Sequence, residues 1–205
     1  MDISDNNHAP ESSDVWDPLL NLIQDATNIV LSTHENSDGD GLGSETAMFD
    51  FLTKLGKKVE VVNPTHVPEY YKFLTPVCEA IAFDAENPAH REKLEAADLF
   101  LLLDTNHLSR TRAMAPILLS RKKAGKIKLG CIDHHLDEED FADEMVCMSR
   151  ASATGELVYE LLKYAERRFG ETFITETSAI GLYTAIMTDT GSFRFPKTTA
   201  FVHHI

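Results

Sequence analysis

The stretch Asn28-Ile29-Val30-Leu31-Ser32-Thr33-His34-Glu35-Asn36-Ser37-Asp38-Gly39-Asp40 decides how the rest of the chain is read. A short apolar run of strand length ends in a histidine and a group of carboxylates. The same ending recurs twice: Leu99-Phe100-Leu101-Leu102-Leu103 runs into Asp104, and Leu129-Gly130-Cys131-Ile132 runs into Asp133-His134-His135. Leu99–Leu103 is apolar at every position, as a central strand of a parallel sheet is. Strands that end in acids and imidazoles would bring those groups to one edge of a sheet, where open α/β folds build their sites.

Working outward, residues 19–33 read as a short amphipathic helix followed by a strand. Gly39, Gly41 and Gly43 read as a flexible turn. On the helix that follows, Met48, Phe51, Leu52 and Leu55 repeat at i, i+3, i+4, i+7, and Gly56 closes it. Lys58–Asn63 predicts a second strand, 68–74 a short helix, 79–83 a weak strand and Ala89–Ala97 a polar helix. Thr111–Ala124 predicts a helix closed by Gly125, Ile127–Ile132 a strand, and 145–148 an edge strand. Ala153–Phe169 is a long amphipathic helix with Val158, Leu161, Leu162 and Ala165 inward, and Thr175–Thr188 is another helix. This alternation predicts an α/β fold with a doubly wound, mainly parallel sheet and helices on both faces, in one domain over residues 19–205. Residues 1–18 read as a flexible arm, with acids, Asn and Ser but no basic segment of a secretory signal. Thr198–Ile205 reads as a helix cut short, with His203 and His204 as ordinary helix residues, so the chain is expected to be a piece of a longer protein.

A chain of 205 residues, 43% hydrophobic, is large enough for one well-packed core. No apolar run reaches the ~20 residues that span a bilayer. The net charge of −14 argues against a large footprint on duplex nucleic acid, which needs many Lys and Arg contacts to phosphate. It leaves room for a small anionic substrate held through cations. Cys78, Cys131 and Cys147 show no paired spacing and fit a reducing, cytoplasmic setting, with Cys131 as plain core.

The chemistry follows from what the strand ends carry. His34, Asp38 and Asp40 offer one imidazole and two carboxylates across a tight glycine-rich turn, a set suited to Mn²⁺ or Mg²⁺. Asp104, at the tip of a neighbouring strand, would bridge two such ions; His134 adds a second nitrogen, and Asp189 in Met187-Thr188-Asp189-Thr190-Gly191-Ser192 would complete the second ion. Two ions about 3.5–4 Å apart suit phosphoryl displacement. Singly, each feature has an ordinary explanation: Asp104 as a turn former, Asp38–Gly41 as a turn, the histidine pair as surface. Together, four clustered aspartates without metal would repel and destabilise the sheet edge.

In this order the motifs resemble the DHH phosphoesterase superfamily, named for the triplet present here as Asp133-His134-His135. The resemblance covers residues 19–205 and rests on four blocks. They are His34-x3-Asp38-Gly39-Asp40-x-Leu42-Gly43-Ser44, Leu103-Asp104-Thr105, Ile132-Asp133-His134-His135 and Ala185-Ile186-x2-Asp189-Thr190-Gly191. Ser152–Leu157 is similar to the family's helix start. Asp189–Phe195 with Thr198-Thr199 is similar to the bacterial nanoRNase subgroup, which acts as oligoribonuclease and 3′-phosphoadenosine-5′-phosphate phosphatase.

The resemblance implies a two-metal, Mn²⁺-dependent phosphohydrolase, with Mg²⁺ as the alternative ion. It assigns His34, Asp38 and Asp104 to the first ion, and Asp40, Asp104, His134 and Asp189 to the second. Asp133 would orient the histidines, and His135 would face the substrate phosphate. Arg110 and Arg194 would meet phosphate, although each also reads as a solvated surface residue. The implied partners are a small nucleotide or a short single-stranded oligonucleotide, with no duplex and no membrane; a homodimer is compatible with this. Cyclic dinucleotides, polyphosphate or pyrophosphate are alternative substrates for the same metal site, and a metal-dependent nucleotide-binding module without turnover is the alternative of another class. The sequence departs from the pattern at Ser37, which replaces a common proline, and in the acidic run Asp137–Glu144. The subgroup's C-terminal substrate-binding domain is not found in these 205 residues, so the chain reads as the catalytic domain alone.

Overall fold

A computed structural model describes residues 13–74 and 79–205; Cys78 and residues 1–12 of the expected arm lie outside them. Among the described residues, six strands form one sheet: β1 (Asn28–Ser32), β2 (Lys58–Asn63), β3 (Ala80–Ala82), β4 (Leu99–Leu103), β5 (Lys128–Asp133) and β6 (Glu144–Cys147). Their order is β3-β2-β1-β4-β5-β6, and every pairing is parallel. The order turns around at the β1–β4 junction, because β2 and β3 lie to one side of β1 and the later strands to the other. Such a junction is the switch point at which doubly wound sheets open a crevice beyond the strand ends. Asp104 directly follows one of the two strands that meet there, and His34 lies two residues past the end of the other.

The alternation of side chains along the strands feeds two cores. Leu99, Leu101 and Leu103 of β4 face one layer with Ile29 and Leu31, under helices α1 (Ser13–Asp25), α2 (Gly39–Lys54), α5 (Thr154–Phe169) and α6 (Glu176–Asp189). Phe100 and Leu102 face the other, with Val30, Leu129 and Cys131, under α3 (Pro88–Ala96) and α4 (Met114–Lys123). No helix among the described residues is long and apolar enough to cross a membrane.

Four local expectations need correction. Residues 13–18 are helix rather than flexible arm, because α1 begins at Ser13 and runs through Pro18. Trp16, Leu19, Leu20 and Ile23 are all buried, and that packing outweighs the hydrogen bond the proline loses. The glycine run is helix rather than flexible turn, since α2 starts at Gly39. The helix expected over Thr111–Ala124 is divided into a 3₁₀ turn, Leu108–Thr111, and α4 by Arg112 at φ 53°. Residues 200–204, expected as helix, form turns that pack Val202 against Ala153 and Ile186.

Candidate metal centre

The cluster is assembled by four segments. After β1 the chain delivers His34, whose Nδ1 lies 2.8 Å from the Glu35 carbonyl, leaving Nε2 to face Asp104 at 3.3 Å. Asp38 caps α2, accepting from the backbone N–H groups of Asp40 and Gly41 at 3.0 and 3.4 Å. Asp40 lies in the first turn of that helix and is fully buried. Asp104 follows β4 at φ 62°, a left-handed backbone that L residues adopt at a cost and that Asp and Asn tolerate best. The end of β5 carries Asp133, His134 and His135, and the end of α6 carries Asp189.

These groups converge. His34, Asp38 and Asp104 each offer a ligand atom, all within 4.8 Å of one another, and so do Asp40, His134 and Asp189. His134 Nε2 lies 3.1 Å from Asp189, 3.5 Å from Asp40 and 3.7 Å from Asp104. Asp104 therefore stands between the two groups. A third grouping adds His135 to Asp104 and His134, but the Nδ1 of His135 is 2.8 Å from Asp133 and 3.9 Å from Asp104. Asp133 also accepts the His135 backbone N–H at 3.0 Å, so this ring is held from behind. The His135 side chain is 49% exposed and that of Asp189 30%, against 3% for Asp104, so the cluster opens to solvent on the His135–Asp189 side.

Burial and mutual repulsion show in the protonation of these groups. Burial pushes the Asp40 and Asp104 carboxyls well above the usual range; Asp104 adds to the effect on Asp40, as Asp38 does on Asp104. At His134 burial opposes the charged form, but Asp189, Asp40 and Asp104 outweigh it and raise the pKa. At His135 the bond to Asp133 raises it.

The residues fit a divalent cation. His134 Nε2 is buried amid three carboxylates at 3.1–3.7 Å, yet none of the described residues meets it in full hydrogen-bond geometry. Two imidazoles and four carboxylates form the mixed nitrogen and oxygen set that Mn²⁺ accepts.

Two expected substrate residues fall differently. Arg110 sits close enough to His135 to oppose its protonation, and its carbonyl accepts the Glu35 N–H at 3.0 Å. Arg194 is exposed and donates from Nε to the Gly191 carbonyl at 2.7 Å; among the described residues no bond ties it to the cluster. Sequence reasoning missed the N-terminus of α5. Thr154 and Gly155 donate backbone N–H groups to the two oxygens of Asp40 at 2.7 and 2.9 Å, and the Thr154 hydroxyl donates to Asp104 at 3.1 Å. A helix N-terminus thus cradles one carboxylate and ties it to the other. The only trace in the sequence is Ser152-Ala153-Thr154-Gly155, which marks a helix start and not what it faces.

Comparison with known proteins gives a consistent picture. Residues 28–186 match the DHH family, N-terminal domain. The Bifunctional oligoribonuclease and PAP phosphatase NrnA of Bacillus subtilis is 27% identical over 181 residues, 88% of this chain and 52% of that protein. Its namesake from Thermus thermophilus is 30% identical over 172 residues, 83% of this chain and 46% of that protein. The chain therefore spans about half the length of the relatives it matches. A solved exopolyphosphatase-related protein from Bacteroides fragilis superposes with a TM-score of 0.83 at 28% identity, covering 94% of this chain and 55% of the other. The exonuclease RecJ bound to manganese shares the fold, with a TM-score of 0.56 at 18% identity over 92% of this chain and 46% of the other.

Proposed function

The chain belongs to the DHH family, and from that premise we propose that it is the catalytic unit of a two-metal phosphohydrolase acting on small nucleotides or short single-stranded oligonucleotides, with Mn²⁺ as its ion. The observation that carries the reading is the convergence of His34, Asp38, Asp40, His134 and Asp189 around the buried Asp104. When bound, two divalent ions supply Lewis acidity and neutralise the charge that builds on phosphoryl oxygens. His34, Asp38 and Asp104 would hold one, and Asp40, His134 and Asp189 the other, with Asp104 within reach of both. Thr154 and Gly155 fix the direction of the Asp40 carboxylate, so that a ligand is in place before the ion arrives. Asp133 steers the His135 ring and favours its protonated form. That form donates from Nε2 to a phosphate oxygen at the open side of the cluster. Arg110, beside His135, adds positive charge for the same phosphate. The NrnA names of the relatives support a nucleotide substrate.

Calorimetric titration of the metal-stripped chain with Mn²⁺ tests the site: two ions per chain are expected, and none would end the reading. Cleavage of the phosphoanhydride of polyphosphate is a second reading, favoured by the likeness to the exopolyphosphatase-related structure. Side-by-side turnover of 3′,5′-bisphosphonucleoside, dinucleotide and polyphosphate by the full-length protein separates the two.

A further inference from the structure

One buried carboxyl lies behind the cluster and has no place among its ligands. Glu45, on α2, is 1% exposed, and its Oε2 accepts from Asn63 Nδ2 at 2.9 Å. Asn63 ends β2 and is itself fully buried. Its Oδ1 accepts the backbone N–H of Thr33 at 3.0 Å and faces the Ser32 hydroxyl at 3.4 Å. β1 and β2 are in register up to Leu31 and Val61. Past that point the Asn63 side chain takes the N–H that β1 presents as it leaves the sheet. The next residue is His34.

A relay thus runs from Glu45 through Asn63 to the Thr33 backbone and on to His34. It ties α2, whose first turn carries Asp38 and Asp40, to the strand exit that carries His34. Glu45 accepts from the Asn63 amide nitrogen, so the amide is held with its oxygen toward Thr33. Among the described residues, Glu45 Oε1 and Thr33 Oγ1 are buried with no hydrogen-bond partner, and there the Asn63 amide is the one group that anchors the carboxyl head.

We infer that Glu45 and Asn63 form a positioning pair that fixes the exit of β1, and thereby sets the affinity of the His34–Asp38–Asp104 half of the site for its ion. The inference rests on the two-ion reading above. Burial pushes the Glu45 carboxyl up to about 8. At neutral pH it is mainly the neutral acid, and glutamine is its nearest mimic.

The test is calorimetric Mn²⁺ titration at pH 7 of metal-stripped wild type, Glu45→Met, Asn63→Leu, the double variant, Glu45→Gln and His34→Ala, with thermal melts of each. Met and Leu roughly keep the volumes, so the core stays filled. The wild type is expected to bind two ions. Glu45→Met and Asn63→Leu should each weaken by about tenfold the event that His34→Ala removes, and leave the other unchanged. The double variant should be no weaker than Asn63→Leu, because residues acting in series do not add. Glu45→Gln should restore wild-type affinity. Two ions in the wild type with unaltered affinity in both single variants overturns the inference alone. So does equal weakening of both events together with a lowered Tm, which is general loosening. No ion in the wild type overturns the two-ion reading and this inference with it.

Discussion

Asp104 concentrates the problem this protein solves. It is buried, and it stands between the Nε2 atoms of His34 and His134 at 3.3 and 3.7 Å. Its φ of 62° is one that glycine would adopt more cheaply. Carboxylate chemistry, rather than backbone ease, explains an aspartate there. This dictates the informative substitution. Asp104→Ala would remove the carboxylate and strain the backbone at once, whereas Asp104→Asn keeps shape and tolerates the left-handed region. Mn²⁺ titration of Asp104→Asn is expected to lose at least one of two ions, and turnover to fall at least about 100-fold. The metal-free Tm should hold or rise, because a buried carboxylate among others is removed. Near-normal turnover in this variant would sink the shared-ligand role. Thr154→Val is the milder probe at the same oxygen. It deletes the hydroxyl at 3.1 Å from Asp104 but keeps the N–H that binds Asp40. Mn²⁺ affinity is expected to fall about tenfold, and an unchanged titration would count against the hydroxyl as support for Asp104.

At the scale of elements, the packing of α2 against α6 decides whether the cluster can form, since one helix starts with Asp38 and Asp40 and the other ends with Asp189. The two helices approach at Gly43 and Gly181. A Cβ on Gly43 would lie 2.3 Å from the Gly181 carbonyl, and one on Gly181 would lie 2.5 Å from that of Gly43. Gly43→Ala gains about 1 kcal/mol of helix propensity. Forcing a methyl against backbone costs roughly 1–3 kcal/mol, and here nothing flexible can give way. A net loss of stability in urea unfolding is therefore expected, with weaker Mn²⁺ binding as α6 is pushed off. A stabilised variant would show that the helices are not in this contact. The same pair explains one failure of sequence reading. Gly39, Gly41 and Gly43 suggest a turn, because local propensity disfavours glycine in a helix. Gly39 and Gly43 are kept by neighbours more than a hundred residues away, Thr188 and Gly181, invisible in any local window, and Gly41 by Thr33 at the exit of β1. The break at Arg112 and the onset of α1 ahead of Pro18 were hidden for the same reason. The strands, by contrast, were legible almost to the residue, because an apolar run that ends in charge marks both the buried segment and its exit from the core.

For the whole molecule, the legible part of the site was its inventory, and the illegible part its support. Strand ends and helix ends pointed to His34, Asp38, Asp40, Asp104, His134 and Asp189, and the fold brings all six together. Nothing local in the sequence indicated that α5 would cradle Asp40, or that Glu45 and Asn63 would lie buried behind His34. The consequence of gathering so many acids is a fold that favours protons on these groups when no cation is present. Asp40 and Asp104 are raised well above 3.8, Glu45 from 4.5 to about 8, and His134 above 6.5. Each of these shifts is upward, so between about pH 4 and 8 these groups bind more protons in the metal-free folded chain than in the unfolded one. The stability these groups contribute is fully present at the acidic end and is lost as pH rises through their folded values. The metal-free Tm is therefore expected to fall between pH 5 and 8, and Glu45→Gln, which cannot ionise, should flatten that fall. Divalent ions compete with the same protons, so the rise in Tm produced by saturating Mn²⁺ should be greater at pH 8 than at pH 5.5, on the order of 5–10 °C at the higher pH. Differential scanning calorimetry with and without Mn²⁺ at the two pH values measures both effects. A metal-free Tm that climbs with pH, or a Mn²⁺ shift that is the same at both, would mean that the buried acids are not the groups that bind the ion.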